Sequence, residues 1–146
     1  MERVNEKYGW VLFLALSLLW VVVGLYQIFL PHELAVGDVQ LVLYLSLSEL
    51  EVSSPVAMVF VRWLYGSLGL LKVSWSLFVL AITLTGFRKG EKWAWYTLWL
   101  VPALLVSTGL FNTFYIGDVF QILQWVPITS LSLMGLFLPY RKFFPK

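Results

Sequence analysis

The stretch PVAMVFVRWLYGSLGLLKVSWSLFVLAITLTGF, residues 55–87, decides the fold, and the basic turn RKGEK follows it at residues 88–92. Within this stretch the charged residues are Arg62 and Lys72. A bilayer core about 30 Å thick requires roughly 20 apolar residues of helix. The stretch therefore predicts a membrane-spanning helix whose first turns stand outside the hydrocarbon.

Three further segments have the length and apolar character of spans. They are residues 8–30, residues 93–114 with a kink expected at Pro102, and residues 119–140 with Pro127 inside. The whole chain of 146 residues is 60% hydrophobic and 12% charged, with a mean hydropathy of +0.84. These values predict an all-α membrane protein, a bundle of four transmembrane helices forming a single integral membrane domain over residues 1–146.

The charges predict how the spans are oriented. Eight of the ten cations fall in three regions that a four-span topology places on one side: Arg3, Lys7, Arg88, Lys89, Lys92, Arg141, Lys142 and Lys146. Five of the eight acids fall on the opposite side: Glu33, Asp38, Glu49, Glu51 and Asp118. By the positive-inside rule, both termini are expected in the cytoplasm.

The outer loop, residues 31–54, is the one sizeable element expected outside the bilayer. Within it, QLVLYLSLS at residues 40–48 alternates leucine with other residues, which is the period of a β-strand. A lone strand leaves backbone groups unpaired, so the pattern predicts a small β-hairpin or pairing with another subunit. A short amphipathic helix lying on the membrane is the alternative.

The missing residue types exclude several kinds of chemistry. The chain has no cysteine and a single histidine, His32, so thiolate chemistry, a paired-imidazole haem and a zinc site are not expected. We predict no cofactor and no metal. The formal charge of +2 gives no indication of nucleic acid binding.

Lys72 is the most informative polar residue, because it lies about 9 Å inside the outer boundary of the hydrocarbon by helical rise. It flanks a stripe at helical spacing: Arg62, Gly66, Gly69, Val73, Ser76 and Leu80. The other polar residues at similar depth are amides: Gln27, Asn112, Gln121 and Gln124. Together with Arg62 and Lys72 they predict an outward-facing pocket for an anionic or amphipathic ligand. Glu49, Glu51 and Asp118 are expected as lid residues or charge partners.

Two simpler interpretations of these polar residues stay open. Lys72 can snorkel to the interface without any further role. The amides can form hydrogen bonds between helices, each contributing about 0.6 kcal/mol.

The segments FVRWLYGSLGLLKVSW, residues 60–75, and TGFRKGEKWAWYTLWLVPALL, residues 85–105, resemble the small four-helix DoxX-like membrane proteins of bacteria and archaea. The resemblance covers residues 55–105. It implies a multi-pass protein of a prokaryotic cell membrane. The group is similar in architecture to subunits linked with quinone-coupled sulfur oxidation, and no catalytic residue is carried over to this chain.

The functional prediction is a non-catalytic protein in the lipid bilayer. It would bind a lipid or small molecule, or act as an accessory subunit of a larger membrane complex or a homo-oligomer. One alternative is an enzyme acting on a lipid or quinone headgroup, with Lys72 and Arg62 stabilising anionic charge and an outer carboxylate as acid or base. The other is a transporter assembled as an oligomer.

Overall fold

The computed structural model describes residues 8–31, 46–116 and 120–144, with the backbone alone for residues 115, 116, 120–122 and 124. Regular secondary structure in these ranges is helical throughout. The helices are α1 (Trp10–Phe29), α2 (Leu47–Ser53), α3 (Pro55–Ile82), α4 (Lys92–Leu98), α5 (Leu100–Ile116), α6 (Phe120–Phe137) and α7 (Tyr140–Phe143). A π-helical turn, Thr83–Phe87, extends α3.

Within the described residues, three helical segments are long and apolar enough to cross a membrane: Trp10–Phe29, Pro55–Phe87 and Lys92–Phe114. They correspond to the predicted spans 8–30, 55–87 and 93–114. They also expose large apolar side chains, such as Phe29 at 76% and Phe114 at 84%. Exposed apolar surface on long apolar helices indicates a membrane protein. The apolar part of α6, Trp125–Phe137, is shorter, so the fourth span stays a prediction.

The end of α3 departs from regular α-helix. The Arg88 backbone N–H donates to the Thr83 carbonyl at 2.9 Å, five residues back, which defines the π-helical turn. Gly90 then adopts a φ of +84°, a conformation that glycine tolerates best. The turn therefore reverses the chain between α3 and α4 within residues 88–91.

The third predicted span is interrupted at Trp99, between α4 and α5. The Trp99 N–H donates to the Tyr96 carbonyl at 3.3 Å, a tighter turn than the α-helix makes. Pro102 lacks an N–H and cannot donate to the Leu98 carbonyl. The disturbance expected at Pro102 thus appears one turn earlier in the chain.

A capping box starts α2. The Ser46 hydroxyl accepts from the Glu49 backbone N–H at 3.2 Å, and the Glu49 carboxylate accepts from the Ser46 backbone N–H at 2.8 Å. Leu47 and Ser48 are therefore helical, and the predicted strand alternation does not extend to them. The rest of that alternation, and the predicted hairpin with it, lies in residues 32–45, outside the described part of the chain.

Acid is expected to loosen the start of α2. The Ser46 backbone N–H and the Ser46 hydroxyl, which donates to the Glu49 carboxylate at 2.7 Å, both lower the pKa of the Glu49 carboxyl, the backbone N–H having the larger effect. A depressed pKa means that the carboxylate stabilises the folded helix above its ordinary pKa and stops doing so as the pH falls through the lowered value. Amide hydrogen exchange over residues 46–53 should therefore accelerate relative to Glu49→Gln between about pH 5 and pH 3. A constant ratio of the two exchange rates would contradict this role for Glu49.

The chain divides into two compact units. The central unit is Leu19–Leu77, and the terminal unit is formed by the chain on either side of it. In the terminal unit, a buried core brings together residues far apart in sequence: Phe13, Val79, Ile82, Phe87, Ala94, Trp95, Leu98, Leu136 and Phe143. The Trp95 indole N–H donates to the Leu136 carbonyl at 3.1 Å, which satisfies its polar atom inside this core.

Candidate functional site

In the central unit, α1 and α3 approach each other closely at a pair of glycines. A Cβ built on Gly69 would lie 2.7 Å from the Gly24 carbonyl oxygen, and one built on Gly24 would lie 2.9 Å from the Gly69 carbonyl oxygen. Glycines at such a crossing let two helix backbones come together in a membrane. The contact fixes the register of the side chains one turn further along each helix.

Lys72 lies one turn after Gly69 and meets α1 on the same side. Its Nζ donates to the Gln27 Oε1 at 2.8 Å, and it lies 5.7 Å from the centroid of the Trp20 ring. Gln27 is buried, with 3% of its surface exposed, whereas Lys72 is half-buried. The ammonium is therefore positioned by an amide on one side and by an aromatic face on another.

The chemistry of this arrangement is that of a positioned cation. An ammonium group carries three N–H donors, of which Gln27 takes one. Gln27 is neutral, so this hydrogen bond orients the ammonium group without neutralising it. An anionic group can then be recognised by both charge and hydrogen bonding.

Arg62 lies about two turns into α3 and forms an ion pair with Glu51, one of its predicted charge partners. Its guanidinium lies 3.0 Å from the Glu51 carboxylate, and both side chains are exposed. Such exposed pairs contribute little free energy. Glu49, another predicted charge partner, has its carboxylate in the capping box of α2 instead.

The remaining predicted residues are not brought to Lys72 by the described contacts. Asn112 is a half-buried residue of α5 in the terminal unit. Gln121 and Gln124 belong to α6, where only their backbone is described. Asp118, Glu33 and Asp38 lie outside the described residues. The structure thus brings together Lys72 with Gln27 and Arg62 with Glu51, and the wider predicted pocket remains a prediction.

Trp20 was not among the predicted site residues, although a signal for it was present. Trp20, Gly24 and Gln27 follow one another at spacings of four and three, so they share one face of α1. Following the helix face of Gln27 two turns toward the N-terminus leads to Trp20.

Comparisons with protein-family models, with curated protein sequences and with solved structures find no match to this chain. Among the described residues there is also no group of three or more His, Asp or Glu side chains that could hold a metal ion.

Proposed function

We propose that this chain is a non-catalytic four-span membrane protein that binds a lipid or another amphipathic small molecule with an anionic headgroup at Lys72. The observation that carries the proposal is the 2.8 Å hydrogen bond from Lys72 Nζ to Gln27 Oε1. A charged residue at the centre of a span costs about 2.5–3.5 kcal/mol on the insertion scale, and Lys72, expected about 9 Å inside the boundary, costs less than this. A cation held in one geometry at such a depth is what a headgroup site requires.

Contacts within the terminal unit support the four-span topology. The Arg88 guanidinium lies 5.0 Å from the Trp10 ring centroid, and Lys142 Nζ donates to the Arg88 carbonyl at 2.9 Å. The start of α1, the end of α3 and the end of the described chain thus meet, as four antiparallel spans require. α6 has 18 residues, about 27 Å of helix, close to the thickness of the hydrocarbon. A DoxX-like architecture with cytoplasmic termini is part of this proposal.

The contacts of Glu49 and Glu51, the two outer carboxylates in the described part of the chain, favour binding over catalysis. The Glu49 carboxylate accepts hydrogen bonds at the start of α2, and the Glu51 carboxylate pairs with Arg62. A general acid or base must reach the reacting group, and these two carboxylates already have structural contacts. A bound headgroup, by contrast, requires a cation held in place, and the hydrogen bond to Gln27 holds the Lys72 ammonium.

The test is native mass spectrometry of protein extracted in mild detergent from its own membranes, with release and identification of what stays bound. We expect a stoichiometric amphipathic anion whose retention falls about tenfold or more in Lys72→Leu, because a hydrogen bond to a charged group is lost. Gln27→Leu should lower retention in the same direction, since the lysine is no longer oriented.

Two variants serve as controls. Lys72→Arg keeps the charge and should retain most of the ligand, while Ser107→Ala removes an exposed hydroxyl of α5 and should change nothing. Equal retention by wild type and Lys72→Leu, with both monodisperse, would overturn the proposal. A stoichiometric polypeptide in place of a small molecule would overturn it in favour of an accessory subunit.

A further inference from the structure

A cluster of cations lies in the terminal unit, distinct from Lys72. Its members come from the turn after α3 and from α7: Arg88, Lys89, Lys92, Arg141 and Lys142. Glu91 is the one acid in residues 88–92 and 140–144. This basic end cluster therefore carries a net positive charge that the two segments produce together.

The two segments of the basic end cluster are held side by side. Lys142 Nζ donates to the Arg88 carbonyl at 2.9 Å, although the two residues are far apart in the chain. The methylenes of Lys142 also cover Gly90, where an added Cβ would lie 3.2 Å from Lys142 Cε. Below them the Phe87 and Phe143 rings pack with centroids 4.8 Å apart. The cations are thus concentrated by tertiary structure and not by sequence alone.

Aromatic rings position two of these cations. The Arg88 guanidinium lies 5.0 Å from the Trp10 ring centroid, and Lys92 Nζ lies 5.4 Å from that of Phe144. Cation–π contacts of this length are attractive and restrict where the charged groups can move. Phe144 in turn stacks on Tyr140 with centroids 5.0 Å apart.

Exposed aromatic side chains adjoin the cations. Trp93, Tyr96 and Tyr140 are each about half exposed. Tryptophan and tyrosine favour the level of the lipid headgroups, where an apolar ring and a polar tip are both accommodated. Rings at that level would bring the cations next to them to the lipid phosphates.

We propose that the basic end cluster is a binding site for the headgroups of anionic phospholipids in the leaflet at this end of the helices. Clusters of four to eight Lys and Arg beside a membrane span attract anionic lipids, and the donors of Arg and Lys suit phosphate oxygens. A phospholipid can contact both the cations and the aromatic rings. Its phosphate binds the cations, and its glycerol and upper acyl chain pack against the rings. An acidic protein segment or a nucleic acid would contact the cations and leave the exposed rings of Trp93, Tyr96 and Tyr140 uncovered.

Glu91 offers a variant that should strengthen the binding of anionic lipid. Its carboxylate accepts a hydrogen bond from the Trp93 indole and reduces the positive charge of the cluster. Replacing it by glutamine keeps an acceptor for the indole and removes the negative charge, so Glu91→Gln should bind anionic lipid more tightly.

The experiment is a titration of the purified full-length protein with phosphatidylglycerol or phosphatidylcholine of identical acyl chains, followed by native mass spectrometry. We expect wild type to prefer phosphatidylglycerol. The double variant Lys89→Gln/Arg141→Gln, whose two side chains are exposed, should lose about 25-fold in affinity for it, since each cation contributes about fivefold. Raising the ionic strength should reduce the preference as well.

The titration is repeated in a Lys72→Leu background, so that lipid at the proposed Lys72 site does not contribute to the count. Loss of the preference in Lys72→Leu alone would assign the bound lipid to that site and overturn the proposal for the basic end cluster. No preference in wild type, or an unchanged preference in the double variant with an unchanged melting temperature, would also overturn it.

Discussion

Replacing Gly69 by valine is expected to separate α1 from α3 and so to destabilise the protein. The Cβ of any residue at this position would lie 2.7 Å from the Gly24 carbonyl oxygen and 3.0 Å from the Ile28 backbone nitrogen. Backbone atoms cannot move aside without separating the helices, and valine adds two methyl groups to the clash. Overpacking costs about 1–3 kcal/mol in cores that can relax, so we expect a loss at or above the top of this range.

Gly66→Val is the matched control, on the same helix and three residues earlier. A Cβ at Gly66 meets nothing within 4 Å in the described part of the chain, so this variant should melt close to wild type. The measurement is the thermal unfolding midpoint in mild detergent, together with the monodisperse fraction on size exclusion. Equal stability of Gly69→Val and Gly66→Val would contradict the close approach of Gly69 to Gly24.

The same substitution bears on the proposed function. The 2.8 Å bond between Lys72 and Gln27 lies about one turn from the glycine contact, on the same two helices. Any separation of the helices at Gly69 lengthens this bond. A surviving fraction of Gly69→Val should therefore retain less ligand per folded molecule than Gly66→Val.

The long apolar helices were predictable because a long run of apolar residues is visible directly in the sequence. Uninterrupted apolar runs predicted the segments observed as α1, α3 and the α4–α5 pair, with ends set by Pro31 and by the charges at residues 88–92. The π-helical turn was not predictable, and Pro102 predicted a disturbance of the third span without placing it at Trp99, since both features depend on individual backbone hydrogen bonds. Hydropathy averaged over many residues does not report such bonds.

At the start of α2, the capping box of Ser46 and Glu49 determines the structure, and the alternating sequence pattern does not. Alternation over residues 40–48 predicted a strand, but the hydrogen bonds between Ser46 and Glu49 begin a helix. The serine with glutamate three residues later is a known start signal. It was present in the sequence and was a better guide at this position than the period of two.

The candidate site was predictable in part. The depth of Lys72 and its position beside the glycine stripe predicted a lysine close to a neighbouring helix, and the structure pairs it with Gln27. The sequence could not select Gln27 from the four amides at similar depth, because helical spacing places a residue on a face and does not choose the helix it meets. Whether these residues bind a ligand stays a prediction.

Replacing Phe87 by alanine is expected to destabilise the terminal unit strongly. Phe87 is 2% exposed, and its ring packs edge-on to Phe13 at 5.3 Å and against Phe143 at 4.8 Å. Truncating a buried phenylalanine costs about 3–5 kcal/mol, through lost contacts and the cavity left behind. We expect the unfolding midpoint in detergent to fall by several degrees.

Phe29→Ala is the matched control, because the same atoms are removed from a side chain that is 76% exposed. It should change the midpoint little, and an equal fall in both variants would contradict the buried position of Phe87. Phe87 also precedes Arg88, and Phe143 follows Lys142, so their ring contact brings together the two segments of the basic end cluster. Folded Phe87→Ala protein should therefore bind phosphatidylglycerol more weakly than Phe29→Ala does, although both variants keep every cation, because the headgroup site depends on how the charges are packed together.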